Sequence, residues 1–360
     1  MKILHIISGL GIGGAENTLY NLVKHDSSNI HVVVSLSKPI FFEKKIKKAN
    51  VKVFNFDFKK SFLKSFYNLI CFIKKNKPDV IQSWMYHAEF LTIIFKIFVS
   101  SKISWNIRNS TPYSKSFKFL TRLLISVNAL FSHFVPGRII SCSKEATKNH
   151  INIGYNKNIF FNIPNGVDLQ KFTIKNNKSR KKFIIGCVAR WSPQKDHLNL
   201  IKALNLLIKN GYKNWECLLV GKNINNRNKY LTKKIKYYSL KKHIRLLGPL
   251  KKINKFYKNI DLLVLPSKDG EGFPNVILEA YASGVPCIST NIGDAKEVIY
   301  NKKYLIEPEN DKILCKAILE TFSDKYVYSK KNRLSLRKKV TEKYSIKRMI
   351  NSYKLVWDKI

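Results

Sequence analysis

The sequence predicts an α/β protein of two domains, each a parallel sheet covered by helices. At 360 residues the chain is longer than the roughly 250–300 at which a single core stops growing. Apolar residues make up 45%, enough to fill two cores. From the first residue onward, short β-branched or apolar runs alternate with longer helical patterns, the order that crossover helices on a parallel sheet require. Neither a low-complexity stretch nor a short-period repeat interrupts that order.

In the first half, strands are expected at residues 2–8, 30–36, 51–55, 79–83, 103–107 and 138–141, with amphipathic helices between them. Residues 172–182 lose apolar periodicity and gain Lys, Asn and Ser, which marks a linker. The second half repeats the scheme, with strands at 183–189, 216–220, 244–247, 261–265 and 286–289. Beyond Glu307 the pattern is helical to the end, with Tyr344, Met349, Tyr353 and Trp357 on one apolar stripe suited to packing. The expected division is a first domain over 1–172, a second over 173–343, and a last helix over 344–360 that packs back on the first.

Six scattered cysteines form no C-x-x-C pair and do not cluster with histidines, so the sequence offers no zinc site and reads as reduced and cytoplasmic. The apolar run after Met1-Lys2 is followed by a Gly-rich stretch and Glu16 rather than a cleavage region, which argues against a signal peptide. Residues 90–99 and 119–135 are the most apolar stretches. Lys96 and Arg122 interrupt them short of the about 18 apolar residues that a membrane-spanning helix needs. The net charge of +43 favours polyanions as partners, or else records a compositional drift toward lysine. No nucleic-acid module is recognisable, so an anionic membrane surface outranks nucleic acid as a partner.

Three segments carry chemistry. The first predicted strand runs into Gly9-Leu10-Gly11-Ile12-Gly13-Gly14-Ala15-Glu16, either a phosphate-facing loop at a helix N-terminus or simply a tight connection. The strand at 183–189 runs into Arg190-Trp191-Ser192-Pro193-Gln194-Lys195, placing two cations where open α/β sheets bind ligands. An Arg fork with a Lys point charge suits a diphosphate, although in so basic a chain two neighbouring cations mean little by themselves. The strand at 261–265 leads into a loop with Glu271 and a helix with Glu279, eight positions on. Two carboxylates near the backbone N–H groups of residues 273–276 suit a polyol joined to an anion.

On these residues the chain resembles the retaining glycosyltransferases of family 4, whose GT-B fold sets two Rossmann-like domains facing across a cleft. The most specific element is Glu271-Gly-Phe-Pro-Asn-Val-Ile-Leu-Glu279, an E-x7-E motif. It is supported by Pro164-Asn165-Gly166-Val167-Asp168, Arg190 with Lys195, Val220-Gly221, Leu247-Gly248 and Gly13-Gly14-Ala15-Glu16. The resemblance covers nearly the whole chain. It implies that Arg190 and Lys195 hold the donor diphosphate, that Glu271 contacts the transferred sugar and that Glu279 bonds the ribose. N–H groups around Gly13, Gly14, Phe273, Asn275 and Val276 would complete the cradle, to which Pro274 donates nothing. The nucleobase would lie near Gly221 and against Arg245 and Leu246. His87 would contact the sugar or the acceptor, and Tyr86, Glu16 and Arg108 are acceptor-side candidates; Arg108 pairs with an anionic acceptor or with a carboxylate. The family uses no metal and no cofactor beyond the nucleotide sugar, which is a substrate. Gly293-Asp294-Ala295 departs from the Gly-Gly-Pro-Glu-like stretch of many relatives, which leaves the donor sugar unread.

Basic and aromatic residues interleave in 41–66 and 113–134. They suggest a peripheral enzyme at the inner face of the cytoplasmic membrane, extending a polyprenyl-diphosphate-linked glycan in surface-polysaccharide or O-antigen assembly. A UDP-sugar donor is favoured and a GDP-sugar is the alternative. Rival readings are a nucleotide-sugar epimerase or glycan phosphorylase on a related fold, and a polyanion- or nucleotide-binding protein without transferase activity. Glu271 and Glu279 in their family-4 context argue against the epimerase and the phosphorylase, and the intact Arg190, Lys195, Glu271 and Glu279 argue against the binding protein.

Overall fold

The computed structural model describes residues 1–38, 41–113, 117–174 and 182–360. The chain divides into two units, Met1–Gly166 with Ile346–Ile360, and Val167–Ser345. In the first unit, β1 (Lys2–Ile7), α1 (Gly14–His25), β2 (Ile30–Ser35), α2 (Phe42–Lys48), β3 (Lys52–Asn55), α3 (Phe62–Asn76) and β4 (Val80–Trp84) come first. They are followed by α4 (Tyr86–Phe95), β5 (Lys102–Ile107), α5 (Phe119–Phe131), β6 (Arg138–Ser141), α6 (Lys144–Asn152) and β7 (Phe160–Asn162). The second unit contains β8 (Phe183–Val188), α7 (His197–Lys209), β9 (Trp215–Val220), α8 (Lys229–Tyr237), β10 (Ile244–Leu246), α9 (Ile253–Tyr257) and β11 (Leu262–Leu265). It continues with α10 (Asn275–Ala282), β12 (Cys287–Thr290), α11 (Ala295–Val298), β13 (Leu305–Ile306), α12 (Asp311–Ser323) and α13 (Lys330–Tyr344). Finally α14 (Ile346–Asp358) belongs to the first unit.

The seven-stranded sheet of the first unit runs β3-β2-β1-β4-β5-β6-β7, and the six-stranded sheet of the second runs β10-β9-β8-β11-β12-β13. The recorded strand pairs within these sheets are parallel. Each order reverses beside its first strand, between β1 and β4 and between β8 and β11. At such a reversal the following loops diverge and leave a crevice beyond the strands' C-terminal ends. One aspartate pins each reversal: Lys2 N–H donates to Asp79 Oδ2 (2.7 Å) before β4, and Ile184 N–H to Asp261 Oδ2 (2.8 Å) before β11.

Alternation along β1 sorts the first core. Ile3 and Ile7 face α1 and α14, whereas Leu4 and Ile6 face α3, α4 and α5. A polar chain crosses the α14 side. Trp84 Nε1–H donates to His5 Nδ1 (3.2 Å), which leaves His5 Nε2 as the donor to His31 Nδ1 (2.9 Å) and His31 Nε2 as the donor to Asp26 (3.1 Å). Burial holds both imidazoles below their ordinary pKa, and in this chain both are satisfied as neutral rings.

Several boundaries differ from the sequence reading. Residues 167–172 group with the second unit. The reason is that Phe172 packs edge-on to Tyr257 (5.8 Å) and Arg337 donates to the carbonyls of Leu169, Phe172 and Ala282. Most of the expected linker, 175–181, lies outside the described residues. Tyr344 does not share a stripe with Met349, Tyr353 and Trp357: the helix ends there, Tyr344 packs on Phe273 (5.5 Å), and Ile346 opens a separate helix. β7 and β13 were not foreseen.

Candidate active site

The loops after β8 and β11 meet at the reversal of the second sheet. Pro193–Lys195 forms one short turn, and Asp196 caps α7 by accepting from Asn199 N–H (3.2 Å). Lys195 thereby reaches the Glu271 carboxylate, which also accepts from Ser267 Oγ (2.6 Å). Burial alone would push the Glu271 carboxyl up. The Lys195 ammonium, together with Ser267 and Arg190, outweighs burial and holds it below the usual range. Arg190 itself is exposed and lightly tethered, donating to Gln194 Oε1 (3.3 Å). The two loops are also clamped through backbone, since Lys268 N–H donates to the Gln194 carbonyl (2.9 Å).

Glu279 lies on α10, where Tyr257 donates to its Oε2 (2.8 Å). Burial raises its pKa, with the Tyr257 bond and Lys171 opposing. No side chain caps α10, whose N-cap is Pro274. The Asn275 N–H is already taken by the Phe273 carbonyl (3.0 Å), so it does not stand open for a ligand as the sequence reading expected. Phe273 and Pro274 are buried, and Val276 is half-buried. Beneath this loop Gly293 adopts φ +61°, and a Cβ there would collide with the Glu271 carbonyl. Asp294 N–H adds a bond to Gly272 O (3.1 Å). The Gly293-Asp294 step, noted in the sequence only as a departure, is what seats the Glu271 loop.

Gly221 donates to Gly248 O (3.0 Å), and at φ +153° any Cβ would strike the Ala189 carbonyl. Arg245 points outward from the edge strand and pairs with Glu216 (3.4 Å). With Leu246, Lys229 and Lys233 it lines a hollow of about 670 Å³. A larger hollow, about 860 Å³, surrounds Met1, Lys74, Lys77 and Lys102 at the far end of the first sheet and holds none of the motif residues. Among the described residues no cluster of three or more His, Cys, Asp or Glu could hold a metal ion.

Residues 169–343, nearly the whole second unit, match the family model of glycosyl transferases, group 1. The chain is 26% identical to the Staphylococcus aureus capsular polysaccharide biosynthesis glycosyltransferase CapM, over 73% of this chain and 72% of that one. It is 31% identical to an Escherichia coli UDP-Gal:α-D-GlcNAc-diphosphoundecaprenol α-1,3-galactosyltransferase, over 53% of this chain and 52% of the relative. The chain is a glycosyltransferase. Its fold is GT-B: the Anabaena protein HepE, solved with UDP-glucose, superposes with a TM-score of 0.87 over all of both chains at 18% identity.

In the first unit of this glycosyltransferase the Gly-rich loop follows β1, and Met85 to His87 follow β4, so both stand at the reversal of the first sheet. Gly13 and Gly14 open α1, and the half-buried Glu16 carboxylate folds back over Gly13, close enough that a Cβ there would clash with it. Burial raises the Glu16 pKa against its own N–H and Arg108. Arg108 donates through Nη2 to Thr18 (3.0 Å) and to Asn165, while its Nε and Nη1 are buried without a hydrogen-bond partner. His87 is exposed at the start of α4. Tyr86 corrects the sequence reading. Its ring is buried in the core and its hydroxyl meets His150 Nε2 (2.9 Å), because the first turn of α4 points this residue inward and the next one out. Ser267, Tyr257 and Gln194 were missed, since nothing local in the sequence shows that they reach the carboxylates or the loop.

Proposed function

We propose that this glycosyltransferase is a retaining enzyme of family 4 that moves a hexose or N-acetylhexosamine from a nucleotide sugar, UDP-linked in preference to GDP-linked, to a polyprenyl-diphosphate-linked glycan in bacterial surface-polysaccharide assembly. The observation that carries this reading is the largely buried Lys195–Glu271 pair at the β8/β11 reversal, with Arg190 beside it. Cations for a diphosphate and a carboxylate for sugar hydroxyls stand side by side, as a sugar diphosphate requires. The named activities of the S. aureus and E. coli relatives support a polysaccharide product and a lipid diphosphate acceptor.

The acceptor hydroxyl attacks the anomeric carbon on the face from which the diphosphate leaves. The bond from that carbon to the diphosphate oxygen breaks, its electron pair stays on that oxygen, and the acceptor's proton follows it. Arg190 and Lys195 stabilise the developing charge, each charge-assisted bond contributing roughly 1.5–3 kcal/mol; no metal ion and no cofactor is needed. Glu271 orients the sugar, Glu279 the ribose, and the base lies against Gly221, Arg245 and Leu246. In the first unit, His87, Glu16 and Arg108 serve the acceptor side. No helix among the described residues is long and apolar enough to cross a membrane, and the enzyme works as a peripheral protein at the inner face of the cytoplasmic membrane.

The test is thermal stabilisation by UDP, GDP, ADP and their sugar conjugates, with Glu279→Ala and Lys195→Ala as controls. Selective stabilisation by one base, lost in both variants, is expected. A folded wild type that responds to no nucleotide would overturn the donor assignment.

A further inference from the structure

The outward face of α5 is apolar, the reverse of an ordinary surface helix. Phe119 is 81% exposed, Leu123 49%, Leu130 63% and Phe134, just past the helix end, 77%. The first three recur at helical spacing on one side. The helix cannot simply roll them inward. Ile125, Asn128 and Ala129 are buried on its other side, and Asn128 donates to the Tyr86 carbonyl (3.0 Å) and to Glu89 Oε2 (3.4 Å) on α4. On the same sheet face, α3 also exposes Phe62 and Leu63.

Charge says what covers this face. Between Glu89 and Glu145 the sequence has eight Lys and Arg and no acidic residue. Around α3 there is likewise no Asp or Glu between Asp57 and Asp79. Separate apolar side chains on a helix that carries Lys118 and Arg122, in a stretch of chain without an acidic residue, match a bilayer leaflet, which takes rings and methyls below its headgroups and cations at its phosphates. We infer that α5 is a membrane-docking element, with Phe119, Leu123, Leu130 and Phe134 seated at the headgroup–acyl boundary of an anionic bilayer. The inference rests on the proposed lipid-borne acceptor only for its purpose: the Asn128 bond holds α5 against the start of α4, so docking brings His87 toward the leaflet that carries such a substrate.

Flotation of the full chain with vesicles of equal parts phosphatidylglycerol and phosphatidylcholine tests it, beside vesicles of phosphatidylcholine alone. Binding to the anionic vesicles is expected, with a fraction retained in about 1 M salt, where the Debye length is about 3 Å. Leu123→Glu/Leu130→Glu should weaken partition roughly tenfold or more. Lys241→Glu, an exposed change in the second unit with the same loss of net charge, should weaken it little. No binding, complete release by salt, or equal weakening by both variants would overturn the inference. So would a dimer on size exclusion that only the double variant disperses, since the face would then belong to a second copy. Nucleotide-induced stabilisation is read on the same samples. The double variant should keep it, and its absence in a wild type that floats would fail the donor reading while leaving the docking element intact.

Discussion

At the scale of single residues, Lys195 and Glu271 depend on each other. Replacing one partner of a buried pair typically costs about 3–5 kcal/mol, and the residual exposure of both side chains here lowers the expectation for Lys195→Met to about 2 kcal/mol. Glu271→Gln in the Lys195→Met background should recover most of that loss in urea unfolding, yet restore no response to nucleotide. If the double variant were no more stable than Lys195→Met, the pair would not be the source of the cost. The depressed Glu271 pKa also fixes a sign: its contribution is full above the unfolded value of about 4.3 and is lost as pH falls through the folded one. Glu89 carries the opposite sign. It is fully buried between α4 and α5, its Oε1 has no hydrogen-bond partner, and burial raises its pKa to about 8 against the Asn128 bond. Protonated when folded and ionised when unfolded, it makes stability fall between about pH 4.5 and 8 and then level off. Glu89→Gln should therefore be more stable than wild type at pH 8 and about equal at pH 5, as urea titrations at the two values will show. A variant destabilised equally at both would mean that the carboxyl is ionised in the fold.

Elements show where the sequence was legible. The central strands announce themselves as apolar runs because parallel strands are buried on both faces, and the predicted boundaries of β1, β2, β5, β6, β8, β9 and β11 lie within a residue or two of the observed ones. β7 and β13 are edge strands of three and two residues, too short to carry a period. The site was half legible. A strand end followed by Arg190 or by the Glu271 loop can be read locally, but the contact between Lys195 and Glu271 spans 76 positions, and only the sheet order brings it about. Tyr86 failed for a local reason, because its distance from the strand end says nothing about which side of α4's first turn faces the core. Gly293 was visible as a residue but not as a support. Gly293→Ala puts a Cβ into the Glu271 carbonyl at a left-handed φ, for which a loss of about 2 kcal/mol and of nucleotide-induced stabilisation is expected. Near-wild-type behaviour in both assays would show that the loop accommodates the side chain and does not need this seat.

On the scale of the whole molecule, the two units differ in how the chain supplies them. The second is one continuous segment, Val167–Ser345, whereas the first needs residues from both ends. Ile346, Met349, Ile350, Tyr353, Val356 and Trp357 are buried in its core. Tyr353 accepts from Asn106 Nδ2 (2.8 Å), and Trp357 Nε1 donates to Gln82 Oε1 (2.9 Å), both polar partners being buried. At about 1.5–3 kcal/mol for each buried apolar side chain, losing six would remove roughly 9–18 kcal/mol, against a typical domain stability of about 5–15. The fragment 1–166 alone should therefore lack a cooperative thermal transition. The fragment 167–345, which keeps its own sheet and both loops of the donor site, should fold and melt as a unit, because the apolar cluster that runs from Ile185 to Ile318 is drawn entirely from this segment. Circular dichroism melts of the two fragments decide this. A cooperative transition in 1–166 would mean that α14 only covers a first unit stable without it, and an unfolded 167–345 would mean that the second unit draws its stability from the rest of the chain.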